Sequence, residues 1–350
     1  MAKTKHDIGG YYIEETPNTE FINTYTPILN LILSGEFDKG YPIGIIQFAG
    51  ESGTFKSVLS LLCASAYVHQ KPDSKLFFFD GEGGAPQDYF KSMGLIEDEQ
   101  TIMFNFGTVE DLKQKVANVI ENDKRLVPHN SVIVIDGIGM AASEKEVSDA
   151  LERNNKSDFT RAKELNSLFR ILTPLAKEKG IPIIVVNHTY DTMERFSKVK
   201  LKGGEGSRNS SNVIIHITKS KERDDKTLAG YSFNMTPYKS RYVKEGMRLP
   251  LIARYDNGIQ KYSGLFDLAL KTTGNIVNET TQSYNLTDTD TGEIIEFNGS
   301  TKFKRSDVEY CPDFWKVVIS QTNFKERTRE LFKLGAAPLI KSDYFKGDVF

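Results

Sequence analysis

The chain has 350 residues, with 45 lysines and arginines against 47 aspartates and glutamates and a formal net charge of −2. At about 150 residues per domain, this length suggests two domains. The mix of 39% apolar and 26% charged residues excludes collagen-like, coiled-coil, disordered and multi-pass membrane classes. With a near-neutral total, attraction to a polyanion has to come from a local patch.

The two cysteines, Cys63 and Cys311, make neither a disulfide framework nor a CxxC pair. The N-terminus has no apolar signal-peptide core, and no run approaches the roughly 18 apolar residues of a membrane helix. The cytoplasm is the expected compartment.

Residues 1–25 are polar and turn-rich and read as a short arm. Gly44–Ala49 is a short apolar strand, and Lys56–Gln70 has helical periodicity. Leu76–Asp80 is a second strand, Gln87–Met93 a helix and Thr101–Phe106 a third strand. Thr108 and Asp111 have the spacing of a helix-opening capping box. Val132–Asp136 and Ile181–Asn187 are the strongest strand signals. Arg161–Lys179, between them, reads as a helix ended by Gly180 and Pro182. Near-continuous apolar strands alternating with helices predict a parallel sheet covered on both faces. Val213–Lys219, Tyr231–Pro237 and Leu249–Tyr255 follow with close spacing and predict an antiparallel extension. Thr272–Thr301 reads as loop or a small β element and Arg305–Leu339 as helical, with a boundary near residue 265.

Between the first strand and the first helix lies Gly50-Glu51-Ser52-Gly53-Thr54-Phe55-Lys56-Ser57. A phosphate loop needs small residues so that backbone N–H groups can wrap phosphates. It also needs a lysine for the β/γ oxygens and a hydroxyl for Mg²⁺. Lys56 and Ser57 fit those roles, but Phe55 stands where the generic pattern G-x-x-x-x-G-K-[ST] has glycine. Asp136 ends the VIVID strand, where with Ser57 it can hold magnesium, partly through water. Glu82 lies just beyond LFFFD, placed to orient and deprotonate an attacking water. Three such features at the ends of three core strands support one another.

Residues 189–212 read as a long basic loop carrying Arg195, Lys198, Lys200, Lys202 and Arg208 with Phe196 interleaved. Such cations neutralise phosphates, and an apolar wedge stacks on bases. The loop starts directly after His188, at a strand end where it can sense a γ-phosphate. Ser143–Thr160 is a second polar stretch able to approach the same axis. No metal role is expected for the five histidines, which lack ligand spacing.

From about Tyr25 to about residue 340 the chain resembles the UvsX-type recombinases of T-even-like bacteriophages, a branch of the RecA strand-exchange family. The resemblance rests on PILNLILSGEF, GESGTFKS, FFDGEGG with the later Tyr89-Phe90-Lys91-Ser92-Met93-Gly94, and VIVIDGIG. It continues through SDFTRAKELNSLFRILTP, VVNHTYDTMERFSK, KSRYVKE and YSGLFDLAL. It implies an α/β fold: a RecA-like P-loop ATPase core at 27–265, mostly parallel with an antiparallel extension. A small C-terminal α/β domain at 266–350 and a short N-terminal oligomerisation arm at 1–26 complete it. Phe55 before the lysine is typical of this branch.

The same resemblance implies that Glu82 is the catalytic glutamate, acting with Lys56, and that Tyr89 stacks on adenine. His188 would couple the γ-phosphate to the second DNA loop. Lys239 and Arg241 would reach the ATP of a neighbouring protomer, and Arg161 would contact DNA. The implied activity is DNA-stimulated, magnesium-dependent ATP hydrolysis by a helical filament on single-stranded DNA. That filament would pair with homologous duplex in phage recombination, repair and recombination-dependent replication in an infected bacterial cell. A phage single-strand-binding protein and a recombination mediator are the implied partners. A ring helicase on the same core and a non-catalytic, nucleotide-switched DNA binder are the alternatives; intact Lys56, Glu82 and Asp136 argue against the second.

Overall fold

The computed structural model describes residues 20–84, 87–95, 99–152, 160–191, 199–202, 204–225 and 227–336. The described chain opens on a two-residue ribbon, β1 (Phe21–Ile22) against β2 (Tyr41–Pro42), with α1 (Pro27–Ser34) between them. Pro27 presets the first helical turn, and Gly35, at φ 79°, ends it by donating its N–H to the Leu31 carbonyl.

An α/β alternation follows: β3 (Gly44–Gly50), α2 (Lys56–Gln70), β4 (Lys75–Asp80), α3 (Gln87–Ser92), β5 (Thr101–Asn105) and α4 (Val109–Asn122). It continues with β6 (Ser131–Asp136), α5 (Glu144–Leu151), α6 (Thr160–Lys179) and β7 (Pro182–Asp191). Next come β8 (Val199–Leu201), α7 (Gly204–Ser210), β9 (Val213–Asp224), β10 (Thr227–Ser240), β11 (Leu249–Arg254) and β12 (Gly258–Ile259). These strands form one sheet in the order β12-β11-β10-β9-β3-β7-β6-β4-β5, with β8 pairing β7 beside it. The pairs from β9 through β5 are parallel and those from β9 to β12 antiparallel. The parallel core and its antiparallel extension are as the apolar pattern predicts.

Strand alternation divides the apolar residues between two layers. Ile46, Phe48, Phe78, Val134 and Ile184 join α1 and α2 on one face; Ile45, Phe77, Ile135 and Val185 join α4 and α6 on the other. The expected capping box at α4 is half made: Thr108 accepts from the Asp111 N–H. A complete box opens α5 at Ser143 and Glu146, so the first part of the polar stretch after Asp136 is helix; residues 153–159 lie outside the described residues.

The basic segment is not one continuous loop. Strand β7 runs past Asn187 to Asp191, β8 returns antiparallel to it, and α7 leads into β9. Polar side chains hid this hairpin because its stability comes from backbone pairing.

The C-terminal part comprises α8 (Leu265–Leu268) running into a π turn at Ala269–Thr273, then β13 (Ile276–Asn278), β14 (Tyr284–Thr287) and β15 (Ile294–Ile295). Helices α9 (Arg305–Val308), α10 (Pro312–Gln321) and α11 (Phe324–Phe332) follow. Of the two expectations for 272–301, the small β element is the one observed. The first apolar layer runs unbroken from Ile22 to Phe324, across residue 265. Phe37 stacks on Phe324 at 5.2 Å and Asp38 pairs with Lys325 at 3.1 Å, joining the segment after α1 to α11. Of the expected arm, residues 20–26 are described and pack on this same core, with Ile22, Thr24 and Thr26 buried. Among the described residues no helix is long and apolar enough to cross a membrane.

Candidate active site

The carboxyl ends of β3, β4, β6 and β7 carry the candidate groups. Gly50 must be glycine because a Cβ there would stand 2.4 Å from the Ile217 carbonyl oxygen. The loop then turns through two left-handed residues, Gly53 and Phe55, both at φ 70°. Phe55 therefore adopts the conformation that a glycine takes without strain. Its ring stacks on Phe233 at 4.3 Å with an interplanar angle of 9°, which offsets that strain. The departure from the generic motif thus keeps the backbone shape and changes what holds it.

Helix α2 begins at Lys56 with no side-chain cap and no acidic residue in its first turn, leaving its leading N–H groups for an anion. The Lys56 ammonium is buried and donates to the Glu51 carbonyl at 2.6 Å; Thr54 Oγ1 donates to the same carbonyl at 2.8 Å. Burial lowers the lysine's pKa, opposed by the charges of Glu82, Asp136 and Glu51. The Ser57 side chain neighbours the Asp136 carboxylate, whose Oδ1 is buried without a partner. Burial pushes the Asp136 pKa up to about 6; the Ser57 side chain opposes this, Glu82 and Asp80 add to it, and Lys56 opposes it.

Asp80, at the end of β4, accepts the N–H groups of Glu82 at 3.0 Å and Gly83 at 2.8 Å, a tight turn that presents Glu82. Glu82 Oε1 meets His188 Nε2 at 2.8 Å. Both side chains border the same small hollow as residues 52–58 of the phosphate loop. Gly137 and Gly139 give them room: a Cβ at Gly137 would lie 2.5 Å from Glu82 Cγ, and one at Gly139 would lie 2.9 Å from the His188 nitrogen. In register, His188 stands directly beside Gly50.

A wider cleft of about 610 Å³ opens next to this hollow, with Glu51, Glu82, Met140, His188 and Lys202 in its wall. Lys202, expected on DNA, thus borders the cleft, and its N–H donates to the His188 carbonyl at 2.8 Å. Lys200 is exposed on β8, and Arg208 on α7 lies over the Tyr238 ring at 5.8 Å. Arg195, Phe196 and Lys198 lie outside the described residues. Arg161 donates to the carbonyls of Ala141 at 2.6 Å and Gly139 at 2.8 Å, clamping the turn after β6. Lys239 donates to the carbonyls of Arg208, Asn209 and Ser211 at the end of α7, at 2.6, 2.9 and 2.8 Å. The Arg241 side chain is exposed, as is that of Tyr89 on α3.

Three neighbours escaped the sequence reading. Lys219 Nζ lies 3.1 Å from the place of a Gly53 Cβ and 5.3 Å from the Tyr231 ring centre. Gln47 and Asn187 are buried polar groups behind His188. A glutamine inside the apolar run GIIQFA was the available signal for the last pair.

A parallel sheet in this strand order, with a phosphate loop after its central strand and acids on its neighbours, is a RecA-like phosphate-loop core. The family model described as Bacteriophage T4, Recombination and repair protein, C-terminal domain matches residues 262–328. The Recombination and repair protein of Enterobacteria phage T4 is 36% identical over 319 residues, covering 91% of this chain and 80% of that protein. The DNA repair and recombination protein RadB of Methanococcoides burtonii is 26% identical over 193 residues, covering 55% of this chain and 80% of that one. The chain belongs to the UvsX family of phage recombination and repair proteins, within the RecA-like recombinases.

Proposed function

We propose that the chain is an ATP-driven recombinase that forms a helical filament on single-stranded DNA and exchanges strands with a homologous duplex. The observation carrying this reading is the Glu82–His188 pair, at 2.8 Å, bordering the phosphate-loop hollow. The nucleotide fits the residues around it: the first turn of α2 is uncapped, and among the described residues the buried Lys56 has only neutral oxygens as hydrogen-bond partners. Magnesium fits as well, because Asp136 keeps a buried unpartnered Oδ1 and its carboxylate neighbours the Ser57 hydroxyl. Among the described residues no cluster of three or more His, Cys, Asp or Glu side chains could hold a metal alone. Ser57 and Asp136 would therefore hold the ion together with phosphate oxygens and water. Magnesium supplies neutralisation of charge on those oxygens.

Lys56 and the loop N–H groups, from Gly50 to Ser57, bind the phosphates, and Tyr89 stacks on the base. Glu82 orients the attacking water and takes its proton. His188, sharing the Glu82 carboxylate, senses whether the terminal phosphate is in place. Lys239 and Arg241 reach the nucleotide of the adjacent protomer, for which Lys239 exchanges the carbonyls of Arg208, Asn209 and Ser211 for phosphate oxygens. Arg161, Arg195, Phe196, Lys198, Lys200, Lys202 and Arg208 contact the DNA. The compartment is the cytoplasm of an infected bacterial cell, where a single-strand-binding protein and a mediator assist loading.

The test is ATP hydrolysis with and without single-stranded DNA, for wild type and Lys56→Ala. DNA should stimulate wild-type turnover strongly, and Lys56→Ala should abolish it. Wild-type hydrolysis indifferent to DNA would overturn the recombinase reading.

A further inference from the structure

Gln47 is 1% exposed in the middle of β3, on a strand whose other residues are apolar or glycine. A buried amide persists only where its donors and acceptor are matched. Here the partners form a continuous path. The backbone N–H of His188 donates to Asn187 Oδ1 at 2.8 Å, and Asn187 Nδ2 donates to Gln47 Oε1 at 3.2 Å. Gln47 Nε2 donates to the Ser207 carbonyl at 3.0 Å and to Ser211 Oγ at 2.6 Å, and Ser211 Oγ donates to the Ser207 carbonyl at 2.8 Å. Asn187, Ser207 and Ser211 are each 0% exposed.

The direction of this path is set from both ends. The Ser207 carbonyl can only accept, so it takes the Gln47 NH₂ and turns Oε1 toward Asn187. The His188 backbone N–H can only donate, so it takes Asn187 Oδ1 and leaves Nδ2 for Gln47. Neither amide can rotate alone without stranding a buried donor against a donor. The path therefore has one low-energy arrangement, and a displacement at His188 is passed on rather than absorbed.

At its far end the path grips α7, the helix that links the β8 hairpin to β9. Lys239 holds the same helix from outside through its last carbonyls. Gly206 presses against α6 so closely that a Cβ there would stand 1.9 Å from Asn166 Oδ1. A shift of α7 thus moves the basic segment, Lys239 and α6 together.

We propose that Gln47 is a positioning residue that couples the nucleotide state sensed at His188 to α7 and so to DNA affinity. Gln47 touches neither ligand. This inference rests on the recombinase reading above, and its test separates the two. The affinity of a labelled single-stranded oligonucleotide is measured with and without a non-hydrolysable ATP analogue and magnesium, for wild type, Gln47→Met and Ser211→Ala. Wild type should gain at least about ten-fold in affinity from the analogue, within the usual range of coupling between sites. In Gln47→Met that gain should shrink to about three-fold or less, with nucleotide-free DNA affinity and KM for ATP within about two-fold of wild type. Ser211→Ala removes one hydroxyl and keeps the Ser207 bond; it should lose part of the gain, and it carries the same test if Gln47→Met does not fold. A full gain in the variants overturns the inference. An equal loss of affinity with and without nucleotide also overturns it, because a purely structural role predicts that. A wild type whose DNA affinity ignores the nucleotide removes the recombinase reading itself.

Discussion

The carboxyl end of the parallel strands and the C-terminal part beyond Leu265 treat charge in opposite ways. In the C-terminal part the half-buried charges of Arg305 and Asp288 are matched. Arg305 reaches Asp267 at 2.8 Å and Glu309 at 2.6 Å while lying over the Phe266 ring. Asp288 accepts from the backbone of Asp290, Thr291 and Asn323 at 3.0, 2.9 and 2.7 Å. Its buried unpartnered oxygens, on Asn275, Asn285 and Thr328, are neutral. At the sheet end the buried Lys56 has, among the described residues, no carboxylate within ion-pair distance, and the unpartnered oxygen belongs to Asp136. Unmatched buried charge is costly, so it persists where a ligand supplies the missing partner. The contrast separates the working end of the molecule from its support without reference to any relative.

The sharpest way to break that contrast is to make the same change in both regions. Glu82→Gln should lower kcat for ATP by about 10²–10⁴-fold with little change in KM, the range for loss of a positioned general base. Glu309→Gln should leave kcat unaltered. Steady-state hydrolysis reads both, and equal effects would erase the distinction.

Asp136→Asn sharpens it through stability. Burial raises the folded-state pKa of Asp136 from the ordinary 3.8 to about 6. The folded state then binds the proton more tightly than the unfolded one, so ionisation of this group destabilises the fold above about pH 6. That penalty fades as pH falls toward 3.8. The asparagine variant should therefore be more stable than wild type by about 1–3 kcal/mol at pH 7.5, without magnesium, and lose magnesium-dependent turnover. Urea unfolding at pH 7.5 and 4.5 should show the gain shrinking at the lower pH; a destabilised variant would contradict the cause assigned here.

The smallest expected effect concerns the loop itself. Phe55→Gly loses the Phe233 stack but relieves the positive φ, so thermal unfolding should shift by no more than about 1 kcal/mol. Phe55→Ala loses the stack and keeps the strain, and should be the less stable of the two. If alanine proves the milder substitution, the stack is not what holds this backbone.

Much of this architecture was readable in the chain. Helix α2 matches Lys56–Gln70 residue for residue, and the apolar runs located β3, β4, β6 and β7 because strands buried on both faces must be apolar throughout. The phosphate loop and the acids at the strand ends were legible from spacing. Phe55 looked like a defect because a motif records residue types, whereas the loop needs a φ, which stacking can also hold. The β8 hairpin was not legible, since backbone pairing leaves little trace in side chains. Nor was the engagement of Lys239 with α7, or of Arg161 with the turn after β6: both cations meet carbonyls, and carbonyls are present at every position.

Local patterns along the chain were enough to define the parallel core, its antiparallel flank and the chemistry available at the phosphate loop. Hydrophobic period, glycine placement and strand-end acids act over short stretches of chain. Folding alone brings Glu82 to face His188 across 106 positions, leaves Asp136 with an unpartnered oxygen, and joins His188 to α7 through Gln47. Those relations depend on which strands lie side by side, and sheet order is a long-range outcome that no local pattern encodes.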